Sequence, residues 1–158
     1  MAGELNAYAV LDIAERMERD AARFYRKAAG ICDDPKLCKL FADLAQWERR
    51  HLELFAEMRE RLSAQSVESW YPALKEIQRQ VMKPPVFEES DDLSKELSGC
   101  TRTDVLEMAI GKEKDAIAYY TSLAGFMPGH GDSQVIESII REEERHVRIL
   151  TQSLEQTS

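Results

Sequence analysis

Leu44-Ala45-Gln46-Trp47-Glu48-Arg49-Arg50-His51-Leu52-Glu53-Leu54-Phe55 sets a glutamate and a histidine three positions apart inside a run of helix-forming residues. On an α-helix, side chains three apart share a face about one turn apart, so Glu48 and His51 can grip the same metal ion. A second Glu-x-x-His stands near the other end of the chain, as Glu143-Glu144-Arg145-His146. The two motifs use two of the three histidines present.

The interval between the motifs organises everything else. His146 minus His51 and Glu143 minus Glu48 both give 95, and the same shift works on the helix before each motif without a gap. It carries Glu18 onto Glu113, Tyr25 onto Tyr120, Val10 onto Val105, Leu11 onto Leu106, Ala14 onto Ala109, Asp20 onto Asp115 and Ala21 onto Ala116. The chain therefore reads as one helical hairpin written twice, with one Glu on the first helix of each copy and one Glu-x-x-His on the second. The register is selective: Glu142 and Glu144 fall on Trp47 and Arg49, and Glu15 falls on Ile110, so Glu143 and Glu18 are singled out from their acidic neighbours.

Composition sets the outer bounds. A chain of 158 residues, 44% hydrophobic and 32% charged, suits one domain, residues 1–158. Sparse Gly and Pro among abundant Ala, Leu, Glu, Arg and Lys predict an all-α fold. A net charge of −8 argues against nucleic acid or an anionic membrane surface as partner and favours cations. Cys32, Cys38 and Cys100 form no Cys-x-x-Cys pair, so they read as idle thiols in a reduced cytoplasm, with no disulfide framework and no thiolate metal site. No apolar run approaches membrane-spanning length, and the N-terminus lacks the pattern of a signal peptide, so a soluble cytoplasmic protein is expected.

Along the chain, helical spacing of apolar residues predicts a first helix from about Asn6 to Ala29 with Gly30 as its cap, then a turn through Cys32-Asp33-Asp34-Pro35. Asp34 is placed to cap a second helix that runs to about Ser63. Residues 64–100 lose the periodicity and read as a connection, with a short helix near Ala73 to Val81. Their length suits a crossover along a bundle between helices 2 and 3. A third helix is expected from Thr101 or Thr103 to about Gly125, and a fourth, capped by Asp132 or Ser133, to about Leu154. The hairpins thus cover about 6–63 and 101–155.

Four helices then each offer an inward carboxylate: Glu18, Glu48, Glu113 and Glu143. Two add an imidazole, His51 and His146. Buried together, four carboxylates repel unless protonated or neutralised, and two divalent cations cancel their formal charge. Carboxylate and imidazole suit iron, manganese or zinc.

These residues resemble the ferritin-like domain of the rubrerythrin family. The segments that carry the likeness are Glu18-Arg19-Asp20-Ala21-Ala22-Arg23-Phe24-Tyr25, Glu48-x-x-His51, Glu113-Lys114-Asp115-Ala116-Ile117-Ala118-Tyr119-Tyr120 and Glu143-x-x-His146. The resemblance implies a ferritin-like four-helix bundle with two iron ions, for which Mn or Zn can substitute. It makes Glu18 and Glu113 terminal ligands, Glu48 and Glu143 bridging ligands, and gives His51 and His146 one metal each. Tyr25 and Tyr120 become groups that hydrogen-bond the carboxylates and assist catalysis. It further implies a homodimer and a reaction with hydrogen peroxide or dioxygen. The chain lacks the paired Cys-x-x-Cys motifs of an attached rubredoxin module, so the electrons would come from an external donor such as a rubredoxin-type protein.

Two other readings accompany this one: a ferroxidase or iron-storage protein, and a bundle whose metal pair only holds its helices. Tyr25 and Tyr120 read equally well as core residues with satisfied hydroxyls. Trp47 and Trp70 read as packing residues, and His130, in a Gly-rich turn, as an exposed spectator.

Overall fold

The computed structural model describes residues 7–62, 96–125 and 130–157. Four helices run through them: α1 (Ala7–Ile31), α2 (Pro35–Leu62), α3 (Arg102–Ala124) and α4 (His130–Gln156). Among the described residues there is no strand, and no helix is long and apolar enough to cross a membrane. The architecture is the all-α bundle that the sequence predicts.

The local signals act largely as expected. Asp34 accepts a hydrogen bond from the Lys36 amide at 3.0 Å, with Pro35 opening α2 where a missing N–H costs nothing. Thr101 closes a full capping box with Asp104: the Asp104 amide donates to the threonine hydroxyl, and the Thr101 amide donates to the carboxylate. Gly99 just before it has φ +77°, a left-handed conformation that admits the sharp turn into the cap. Replacing Thr101 by Ala is expected to lower stability by about 1 kcal/mol, read as a lower urea midpoint with an unchanged slope.

Several boundaries differ from expectation. Helix α1 continues through Gly30 to Ile31, because nothing crowds that glycine and the Cys32 amide still reaches the Ala28 carbonyl at 3.1 Å. Helix α4 begins at His130, ahead of both expected caps. Its Asp132 instead pairs with Arg61 at 2.9 Å, and the Ser133 hydroxyl donates to the Ala124 carbonyl at the end of α3. Cys32 and Cys38 are not idle thiols but are bonded to each other, with Cα atoms 5.6 Å apart, while Cys100 stays free. The turn between α1 and α2 folds the end of one helix over the start of the next, a proximity that a search for Cys-x-x-Cys does not detect. Most of the expected crossover, the short helix at Ala73 to Val81, Trp70 and the side chain of His130 lie outside the described residues.

Apolar side chains gather into two clusters, one at each end of the bundle. The first joins Leu11 and Ala14 of α1, Phe55 and Met58 of α2, Tyr120 and Leu123 of α3, and Ile136 and Ile139 of α4. The second joins Phe24 and Tyr25, Phe41 and Leu44, Leu106 and Ala109, and Leu150, again from all four helices. Repeat-related residues exchange clusters: Leu11 is in the first and Leu106 in the second, Phe41 in the second and Ile136 in the first, Phe55 in the first and Leu150 in the second. An internal two-fold between the hairpins produces that exchange, and the layer it passes through is polar.

Candidate dinuclear metal centre

That middle layer holds Glu18, Glu48, His51, Glu113, Glu143 and His146, each no more than 3% exposed. Charged side chains are seldom so fully buried without a partner or a metal. Each helix contributes through the spacing already in its sequence: one carboxylate from the middle of α1 and of α3, and a Glu-x-x-His from one face of α2 and of α4.

The six side chains resolve into two groups with shared members. Glu18, Glu48, His51 and Glu143 bring ligand atoms within 4.8 Å of one another, and so do Glu48, Glu113, Glu143 and His146. His51 Nδ1 lies 2.9 Å from Glu143 Oε1, 3.3 Å from Glu48 Oε2 and 3.7 Å from Glu18 Oε2. His146 Nδ1 lies 2.8 Å from Glu143 Oε2, 3.1 Å from Glu48 Oε1 and 3.6 Å from Glu113 Oε1. Glu48 and Glu143 therefore each turn one oxygen toward each histidine, the disposition of a bridging carboxylate. Three of these atoms, Glu48 Oε1, Glu143 Oε2 and His146 Nδ1, are buried without a hydrogen-bond partner. Orphaned acceptors and a nitrogen converging on one point are what a pair of divalent cations satisfies, so the residues fit such a pair.

Electrostatics without metal is correspondingly strained. Burial, reinforced by the charges of Glu18, Glu113 and Glu143, raises the Glu48 carboxyl well above its usual range. Burial and Glu18 push Glu143 up to about 7. Burial also opposes ionisation of Glu18, but hydrogen bonds from His51 and its neighbours win and leave it lowered. Burial disfavours the charged imidazoles, yet contacts with Glu113, Glu143 and Glu48 outweigh it and push His146 up to about 11, and Glu143, Glu18 and Glu48 raise His51 likewise.

The tyrosines cross between hairpins. Tyr25 of α1 donates its hydroxyl to Glu113 of α3, and Tyr120 of α3 donates to Glu18 of α1 at 2.5 Å. Burial, with the neighbouring carboxylates, raises both phenols well above their usual range, so each stays a donor. Each hydroxyl thus reaches the carboxylate of the opposite hairpin.

Acidic residues set aside by the repeat register prove instructive. Glu15 is buried, but it pairs with Arg59 of α2, away from the central layer. Glu142 is different: its Oε2 lies 2.8 Å from His51 Nε2, on the side of the ring facing away from the cluster. The repeat register does not single it out, because its partner is Trp47. The same relation contains the missed signal, since Trp47 occupies the matching place and stacks on His146 with ring centroids 5.2 Å apart.

A cavity of about 100 Å³ opens between α1 and α3 onto Glu18, Glu48 and Glu113. Lys112 lines it and pairs with Asp20 at 3.1 Å.

Comparison with known proteins agrees with this geometry. The family model described as Rubrerythrin matches residues 2–59, the segment with Glu18, Tyr25, Glu48 and His51. Over that segment the chain is similar to rubrerythrin. A crystal structure of a protein from Thermotoga maritima, described as a ferritin-like diiron-carboxylate protein, superposes with a TM-score of 0.75 at 24% identity, covering 100% of both chains. That likeness identifies the fold of the four described helices as ferritin-like. No curated protein matches the chain.

Proposed function

We propose that this chain is a non-haem di-iron oxidoreductase that reduces hydrogen peroxide or dioxygen with electrons from an external donor of the rubredoxin type. The observation that carries the reading is the pair of shared carboxylates: Glu48 and Glu143 each offer one oxygen to the His51 side and one to the His146 side. The family matched by residues 2–59 and the diiron-carboxylate description of the Thermotoga maritima protein support iron as the metal.

Glu18 and His51 would complete one position, and Glu113 and His146 the other. A ferrous pair held there would supply the two electrons that, with two protons, take one peroxide to two waters. The chain's own residues prepare for that chemistry. Tyr25 and Tyr120 hold their phenolic protons against Glu113 and Glu18 and so fix the orientation of both outer carboxylates. Apolar clusters above and below the layer keep bulk water out. The cavity between α1 and α3 is large enough for a molecule the size of peroxide and leads to the carboxylates.

Anaerobic loading with Fe(II), then one equivalent of peroxide, tests the reading through near-ultraviolet absorbance. Rapid growth of a ferric band, reversed by a reduced rubredoxin-type protein and repeatable over many cycles, is expected. Oxidation that no external donor reverses would favour the ferroxidase or storage reading, and absence of oxidation would leave only a structural metal pair.

A further inference from the structure

The two hairpins repeat each other closely around the centre, yet they differ at one pair of matching positions in contact with the histidines. Position 47 on α2 is Trp and position 142 on α4 is Glu. Both face the histidine of the opposite hairpin. Glu142 meets His51 edge on, its Oε2 2.8 Å from Nε2. Trp47 lies flat on His146, the planes 12° apart, and the guanidinium of Arg145 sits 5.7 Å from the Trp47 ring.

Resting on the dinuclear reading above, we infer that Glu142 is a positioning residue that makes the two metal positions unequal, the His51 position being the tighter. The Nε2–H of His51 donates to the Glu142 carboxylate, which fixes the tautomer, leaves Nδ1 as the ligand atom facing Glu18, Glu48 and Glu143, and makes that nitrogen a stronger donor. Glu142 also adds a negative charge near the His51 position, softened by solvent because its side chain is 44% exposed. His146 instead has the Trp47 ring stacked on its face, and the Arg145 guanidinium packs over that ring. Among the described residues, its position therefore gains neither a matching carboxylate's hydrogen bond nor its charge. The first ion to bind takes the His51 position, and the second completes the pair on the His146 side.

Anaerobic titration of the full chain with Co(II), followed by visible absorbance and calorimetry, tests the inference on wild type, Glu142→Ala and Glu142→Gln. Wild type should take up two ions in steps at least about tenfold apart. Glu142→Ala should weaken the first step about tenfold and leave the second unchanged. Glu142→Gln, which keeps a neutral acceptor, should recover part of the loss, and all three metal-free proteins should be fully folded at the temperature of the titration. Two ions bound by Glu142→Ala with wild-type affinities would overturn the inference while leaving the dinuclear reading intact. Equal weakening of both steps would reduce Glu142 to a structural role and overturn it as well. Failure of wild type to bind cobalt would instead overturn the dinuclear reading, and the inference with it.

Discussion

Glu48→Ala should bind no more than one divalent ion per chain where the wild-type protein binds two, and Glu143→Ala should do the same. Each removes an oxygen from both positions at once, because Glu48 and Glu143 belong to both groups of converging side chains. His146→Ala removes a nitrogen from one position only, so it should weaken one ion by about 10- to 100-fold, roughly 1.4 to 3 kcal/mol, and spare the other. His130→Ala is the control. It lies thirteen residues before Glu143, about 20 Å along the axis of α4, and should leave both ions in place. Elemental analysis after equilibrium dialysis reads all four, and equal loss from His130→Ala and His146→Ala would contradict the assignment.

The metal-free protein should lose stability as pH rises from 5 to 7, and the metal-loaded protein should gain it. Glu143 is raised from 4.5 to about 7, so between those values the folded state holds a proton that the unfolded state releases. Stability then falls with pH. Glu48, also raised, adds to the fall, and the raised His146 and His51 extend it above their ordinary 6.5. Glu18 is lowered, so its favourable contribution is complete above its ordinary 4.5 and does not change over this window. For Glu143 alone the loss between pH 5 and 7 is about 2 kcal/mol. Metal reverses the slope because it binds deprotonated carboxylates and neutral imidazoles, and its affinity rises as protons leave. Urea midpoints at pH 5 and 7, with chelator and with saturating metal, give the two slopes. A metal-free protein that gains stability over this window would show that the cluster does not carry its protons as described.

How much of this was legible beforehand depends on the kind of interaction. The four long helices and the convergence of Glu18, Glu48, His51, Glu113, Glu143 and His146 follow from helical periodicity and the 95-residue shift, both of which are written in one dimension. The Thr101 and Asp34 caps are equally local and needed only a few neighbouring residues. What escaped depends on approach between elements. The crossed pairing of Tyr25 with Glu113 and Tyr120 with Glu18 requires α1 and α3 to face each other. The bond between Cys32 and Cys38 depends on how the turn between α1 and α2 folds. Glu142 escapes a comparison of like residues at matching positions, whereas the two-fold makes unlike residues there informative: they face equivalent groups and treat them differently.

Two ions that share Glu48 and Glu143 should be magnetically coupled, and that coupling tests the shared carboxylates most directly. Anaerobic Mn(II) titration of the metal-free chain, followed by low-temperature electron paramagnetic resonance, should show a six-line signal for the first ion that collapses into a coupled spectrum as the second enters. Two ions with independent six-line signals, or a titration that stops at one ion, would contradict a shared carboxylate bridge.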